Sequence, residues 1–507
     1  MGMSRNLSKR FGDVRYSWTS PRALVRGVVC VCWMFLWSGC ALEVTKEVNQ
    51  HMVMVDGQGA FVQTMENPQV DKAGMPMGVH NYALRSFMDY PTISAKSYQS
   101  HLASVFAGME AFRKEKAKEG KQPKLLIFIH GGLNTQTTTI ERVKQSYQQI
   151  EKAGYYPIFI NWQSSLFSSY RDHLLWVRQG QWRKWGPVLS PLYLIGDVLR
   201  GVVRAPLTWT FLFKNDLETV WDFGESHNTK KAFDAYHQRF PESISEGHDQ
   251  RTGYEMFFSA AQYVVTLPTK LLIAPLLDAM GTSSWDIMLR RTKTLFHKDD
   301  EFELGATDLD SPVTGTGGLS IFLRQFQKAI QGNDWEITLI GHSMGTMVIT
   351  ELLRQFQDIP FDNIVFMAGA ATIRDYEHGV FPYLERSDHR ATQFYHLVLH
   401  EEAEARERWE KFPRVVDLPP RGSLLVWIDN FLATPKDPLD RTVGRWSNLV
   451  VTLGNTPKPV RERIHVKGFS VGLGAPKGDP QEHGDFTNIT QFHYWDPANW
   501  KPESHPH

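Results

Sequence analysis

Cysteine is scarce in this chain of 507 residues: only Cys30, Cys32 and Cys40 occur, all within the first forty positions. Beyond that stretch neither a disulfide framework nor a cysteine metal site can form. No H-E-x-x-H motif is present and the 19 histidines are scattered, which argues against a metal hydrolase. Lys+Arg and Asp+Glu are balanced at 55 each, so no basic surplus recommends a nucleic-acid partner. With 42% apolar and 22% charged residues, the composition argues against wholesale disorder and against a multi-span membrane protein. Internal repeats are also missing.

The first forty residues read differently from the rest. Six basic residues from Arg5 to Arg26 precede GVVCVCWMFLW, an apolar run too short to span a bilayer comfortably but matching a signal-peptide core. The following Leu36-Trp37-Ser38-Gly39-Cys40 resembles the bacterial lipobox, with Trp37 in place of the usual aliphatic residue. On that resemblance residues 1–39 are a lipoprotein signal peptide and Cys40 is lipidated. The protein is then held by a lipid anchor in the bacterial cell envelope, with Ala41 favouring the periplasmic face of the outer membrane. An uncleaved signal anchor is the alternative. Cleavage would remove six basic residues and Asp13, and leave the remainder acidic by five charges.

Residues 40–93 carry short apolar pieces punctuated by Gly57, Gly59, Pro68, Gly74, Pro76 and Gly78, the pattern of a tether and irregular lead-in. The spacing of Leu102, Val105, Phe106, Met109 and Phe112 predicts a helix within 94–120. KLLIFIHGGLN (124–134) and YYPIFINW (155–162) are continuous apolar runs, as expected of strands buried on both faces of a parallel sheet, with a helix over 137–154 between them. ITLIGHS, NIVFMAGAA (363–371), TQFYHLVLH (392–400) and RIHVKGFSV (463–471) continue the series. Strands separated by helical patterns predict an α/β fold with a doubly wound, mostly parallel sheet, whose carboxyl-end loops build the site.

Residues 165–332 show no clear strand series. Their apolar helical runs, interrupted by Pro191, Pro206, Pro268 and Pro275, are too long for a loop and predict a helical cap inserted before ITLIGHS. The cap splits the α/β domain into 94–164 and 333–507. Within it, LYLIGDVLRGVVR puts Asp197, Arg200 and Arg204 on one helical face and Leu194, Ile195, Val198, Leu199, Val202 and Val203 on the other. Such an apolar face either packs on the core or lies on a lipid surface.

ITLIGHSMGTMV (337–348) holds Gly341, Ser343 and Gly345 as G-x-S-x-G between a strand-forming and a helix-forming segment, the context of a nucleophile elbow. IFIHGGLN, LIGHSMG and HGDF (483–486), in that order, resemble the α/β-hydrolase superfamily and its bacterial serine esterases and lipases, over residues 121–171 and 333–495. The resemblance implies Ser343 as nucleophile and His483 as base. The acid follows TQFYHLVLH, where Glu401, Glu402 and Glu404 stand; Glu404 is favoured, Glu402 and Asp440 are alternatives, and Asp375 is a third. The oxyanion hole would draw on the Met344 amide and on Gly132 or Leu133.

A serine hydroxyl needs an adjacent base, and His483 sits in a Gly/Pro-rich loop beyond the last strand, able to reach over the elbow. These residues imply a membrane-anchored serine hydrolase that cleaves hydrophobic, lipid-like carboxylic esters through an acyl-enzyme, without cofactor or metal. An acyltransferase would use the same residues. A non-catalytic lipoprotein of the same fold, binding a hydrophobic ligand, is the alternative from another class.

Overall fold

The computed structural model describes residues 44–61, 69–70, 76–77, 98–178, 181–183, 185–221, 253–297, 315–408, 419–433, 435–469 and 477–501. The signal peptide (1–39) and the lipidation site Cys40 lie outside these residues.

At the centre is a seven-stranded sheet. In chain order its strands are β1 (Met52–Val55), β2 (Lys124–Ile129), β3 (Tyr155–Trp162), β4 (Glu336–His342), β5 (Asn363–Met367), β6 (Gln393–Val398) and β7 (Ile464–Gly468). They lie side by side as β1-β3-β2-β4-β5-β6-β7, and every pair is parallel. The apolar runs explain this choice: β3 is buried at all eight positions, and β2 and β4 at all but their first, which suits a sheet covered on both faces.

Helices α1 (Tyr98–Lys118) and α2 (Gln136–Lys152) lie before β2 and between β2 and β3. α2 starts at Thr135, whose hydroxyl caps the Thr138 amide, and the chain turns out of it at Gly154 with φ of 95°. It buries Ile140, Val143 and Ile150 and leaves Gln148 and Gln149 exposed.

Residues 52–55, expected in an irregular lead-in, form the sheet's edge strand, paired with β3 from Met52↔Phe159 to Val55↔Trp162. Four apolar residues ending at Asp56 are too short a run to reveal a period.

The described residues of the insert are mainly helical, in α3 (Leu166–Leu175), α4 (Gly186–Trp221), α5 (Gly253–Thr294) and α6 (Gly318–Ile330). Two corrections apply. Helix α6 is part of the core: Phe322 and Phe326 are fully buried, and Phe322 stacks on Phe106 of α1 at 5.7 Å. The four prolines do not break the runs, because α4 continues through Pro191 and Pro206 and α5 through Pro268 and Pro275. Proline at 275 leaves the Leu271 carbonyl without its helical donor, and the Trp209 indole N–H donates to that carbonyl at 2.8 Å.

Helices α4 and α5 run antiparallel, with Arg200 bonded to Ala279, Arg204 to Asp278 and Trp209 to Leu271. The far end of α4 touches the core, where Asn215 Nδ2 donates to the carbonyls of Ala405 (3.4 Å) and Arg421 (3.2 Å). After β4 come α7 (Gly345–Gln355), α8 (Glu401–Arg406) and α9 (Trp446–Asn455).

Candidate active site

Among the described residues, three that are not glycine have positive φ: Leu133 (62°), Ser343 (52°) and Ala368 (44°). They follow β2, β4 and β5, which are adjacent in the sheet. Each such backbone costs of order 1–3 kcal/mol and persists only where the surroundings hold it. All three stand at the carboxyl ends of adjacent strands, the end of the sheet at which open α/β folds as a class take their ligands.

The hold on Ser343 is explicit. Its N–H donates to Met367 O at 2.9 Å, and its carbonyl accepts from the amides of Thr346 (3.0 Å) and Ala370 (3.1 Å) and from Thr346 Oγ1 (2.7 Å). Glycine at 345 is required because a Cβ there would collide with the Ile129 carbonyl, and at 131 because a Cβ would sit 2.7 Å from that of Ser343. The backbone is tied at every polar group, whereas Oγ is buried and has no hydrogen-bond partner.

His483 begins a short 3-10 turn (His483–Thr487) beyond β7. His342, next to Ser343 in the chain, donates from Nε2 to the His483 carbonyl at 2.9 Å, and the two rings lie 4.9 Å apart. The structure therefore brings the base candidate to the elbow through its main chain. Both His483 ring nitrogens are buried without a partner, so neither the Ser343 hydroxyl nor a carboxylate is bonded to the imidazole. Burial lowers its pKa to about 4, which leaves a neutral ring at neutral pH. His342 is lowered as well, by burial and by His483. His130 is structural: Nδ1 donates to Gly131 O at 2.8 Å, and Nε2 accepts from the Trp162 amide at 3.1 Å.

Of the oxyanion candidates, the Met344 amide opens α7, where the helix end favours negative charge. Leu133 is a correction. Its N–H already donates to Ser164 O at 2.8 Å, which leaves Gly132 as the second donor. Two residues that the sequence reading passed over shape this loop. Asn134 Nδ2 donates to the carbonyls of Gly131 and Gly132, both at 2.9 Å, and Asn134 Oδ1 accepts from Arg142 NH2 at 3.3 Å. Asn134 closes the HGGLN segment, but Arg142 stands on α2 and only the fold reveals its reach.

The acid candidates separate clearly. Glu404 is fully buried and accepts a hydrogen bond from Ser423 Oγ. Burial, then the neighbouring Glu407 charge, raises its pKa to about 8, so in this arrangement it holds a proton near neutrality. Glu401 is taken by Arg445. Glu402 is paired with Arg406, and Asp440 caps its own turn and binds Arg374 at 3.1 Å on a part-exposed surface. The alternatives Glu402 and Asp440 are thus engaged with other partners, and Asp375 is held in a capping box with Thr372. Glu407, not anticipated from sequence, accepts the His483 backbone N–H at 2.7 Å. No spacing rule could reveal a bond that spans 76 positions.

Among the described residues, no group of three or more His, Cys, Asp or Glu is arranged to hold a metal ion. Comparison with known proteins finds no matching family model, no similar curated protein and no similar solved structure.

Proposed function

We propose that the chain is a serine hydrolase of the α/β-hydrolase type with a helical cap, acting on hydrophobic carboxylic esters and held in the bacterial envelope by lipid at Cys40. The observation that carries this reading is Ser343: a non-glycine residue at φ 52° after a central parallel strand, its backbone fully bonded and its hydroxyl unpartnered. Ser343 Oγ attacks the ester carbonyl, and neutral His483 takes its proton and returns it to the leaving alcohol. The amides of Met344 and Gly132 receive the oxyanion, and water then resolves the acyl-enzyme. Rotation of the two unpartnered side chains completes the serine–histidine bond when substrate enters, since catalytic bonds tighten in the complex. The acid comes from the Glu404/Glu407 pair, of which Glu407 accepts the His483 backbone N–H.

Labelling by a fluorophosphonate tests the reading directly. Ser343 should be modified in the wild type and Ser343→Ala should not react; a folded wild type that stays unlabelled would favour a non-catalytic binding protein. The apolar cap leads us to expect kcat/KM to rise from acetyl to medium or long acyl esters, because binding energy grows with the hydrocarbon area buried. A steady fall beyond acetyl would point to a small-ester hydrolase.

A further inference from the structure

Over residues 186–213 helix α4 turns its charged groups inward, as does the 261–282 stretch of α5, whose exposed charges Asp286 and Lys293 stand further along that helix. Asp197 is buried, facing His173 Nε2 at 3.0 Å and the Tyr170 hydroxyl at 3.2 Å. Arg204 Nε donates to Asp278 at 2.8 Å, and Arg200 NH2 to the Ala279 carbonyl at 2.8 Å and Ser283 Oγ at 3.1 Å. The residues left outside are Val188, Leu192, Ile195, Leu199, Val202 and Val203, spaced to form one stripe. Val203 is 78% exposed, and on α5 Val265 is 78% and Leu272 74% exposed.

From Trp185 to Phe213 no exposed position carries a charge, whereas Arg183 and Lys214, just past the two ends, are both exposed. This uncharged stretch is about 40 Å long at 1.5 Å per residue. Gly186–Asn215 and Ala261–Thr294 both have the length and composition of membrane spans, yet only 17% of the most apolar window of the first is buried, where a core helix would be mostly buried.

A helix facing water hides its apolar stripe and leaves its charges outside. Here the reverse holds, which is the arrangement of helices in a low-dielectric surround, where charged groups face the interior and pair. Protein interfaces carry a polar rim around an apolar centre. An uncharged stripe with cations only at its ends suits acyl chains flanked by anionic headgroups instead. Both helices are also fastened along the domain, by Asn215 to the α8 segment and by Arg291 to Asp172 of α3 at 2.6 Å. They therefore lie along the protein and do not project from it.

We propose that the α4–α5 hairpin seats the domain in the plane of a lipid bilayer through this outward apolar face, as a second membrane contact beside the N-terminal segment. The contact does not depend on the chemistry of Ser343.

The test uses the full-length chain with Cys30, Cys32 and Cys40 replaced by serine and one new cysteine, Val203→Cys or Leu272→Cys. Lys121→Cys, exposed and just ahead of β2 at the opposite end of the sheet, is the control. Each cysteine carries an environment-sensitive fluorophore, and the protein is mixed with vesicles of phosphatidylethanolamine and phosphatidylglycerol containing doxyl-labelled phospholipid. Probes at 203 and 272 should shift to the blue and be quenched on the vesicles, while the probe at 121 should not respond. The Leu199→Glu, Val203→Glu double variant, with an unchanged melting temperature, should bind these vesicles at least about tenfold more weakly. A probe at 203 that stays water-like on vesicle-bound protein overturns the proposal. So does one already shielded without vesicles in a dimer seen by sedimentation, since a second copy would then cover the face.

Discussion

The α/β core and the α4–α5 hairpin obey opposite rules of burial. In the core, β3 hides every side chain and α2 turns glutamines to water; in the hairpin, arginines and aspartates meet inside and valines and leucines stand outside. The contrast teaches that polarity of a face reports the medium it meets. The core's medium is water, and we assign the hairpin's as lipid.

The largest effect should come from Ser343→Ala, which should lower esterase activity at least about a thousandfold while leaving vesicle binding unchanged, and so separate the chemistry of the core from the seating of the hairpin. Loss of both together would show that the two regions act as one. Next, Glu404→Gln and Glu407→Gln identify the acid: the residue that orients His483 should cost about 10² to 10⁴ in kcat, and the other far less.

On the hairpin, Arg204→Met leaves buried Asp278 without its cation and should destabilise by about 3 kcal/mol in chemical denaturation. Val202→Ser on the outward face should stay within about 0.5 kcal/mol in solution. Reversed magnitudes would mean that the hairpin packs like the core. A further difference is in pH dependence. The pKa of Glu404 is raised from its ordinary value of 4.5 to about 8, so its stabilising contribution is complete below about 4.5 and lost as pH rises through about 8. Between those limits the melting temperature should fall by a few degrees more in the wild type than in Glu404→Gln, as read by thermal scans.

Six of the seven strands were legible in the sequence: the inner ones, buried on both faces, appear as apolar runs, and β7, at the edge, alternates over Ile464-His465-Val466-Lys467. β1 escaped notice, since MVMV is too short to show a period. The elbow was legible because glycine at 341 and 345 follows from local backbone geometry. The acid was not, because choosing among Glu401, Glu402, Glu404 and Glu407 depends on Arg445, Arg406, Ser423 and His483, which chain spacing does not bring together. Helical periodicity likewise divided α4 into two faces without saying which points inward. Tyr170 and His173 of α3 decide that by claiming Asp197.

The pairing of β2 with β4, in register from Lys124↔Glu336, closes the sheet around the whole insert. Residues at the mouth of that closure, Gln122 and Asp334, are 212 positions apart. During synthesis β2 and β3 therefore wait for their central neighbour until the hairpin has already left the ribosome, and loop-closure entropy delays the pairing further. For that interval the hairpin has no completed domain to rest on, and its apolar stripe is the segment most exposed to aggregation. Early contact of the stripe with a bilayer would shelter it and shorten the search for β4, so refolding yield should depend on whether lipid is present before the sheet closes.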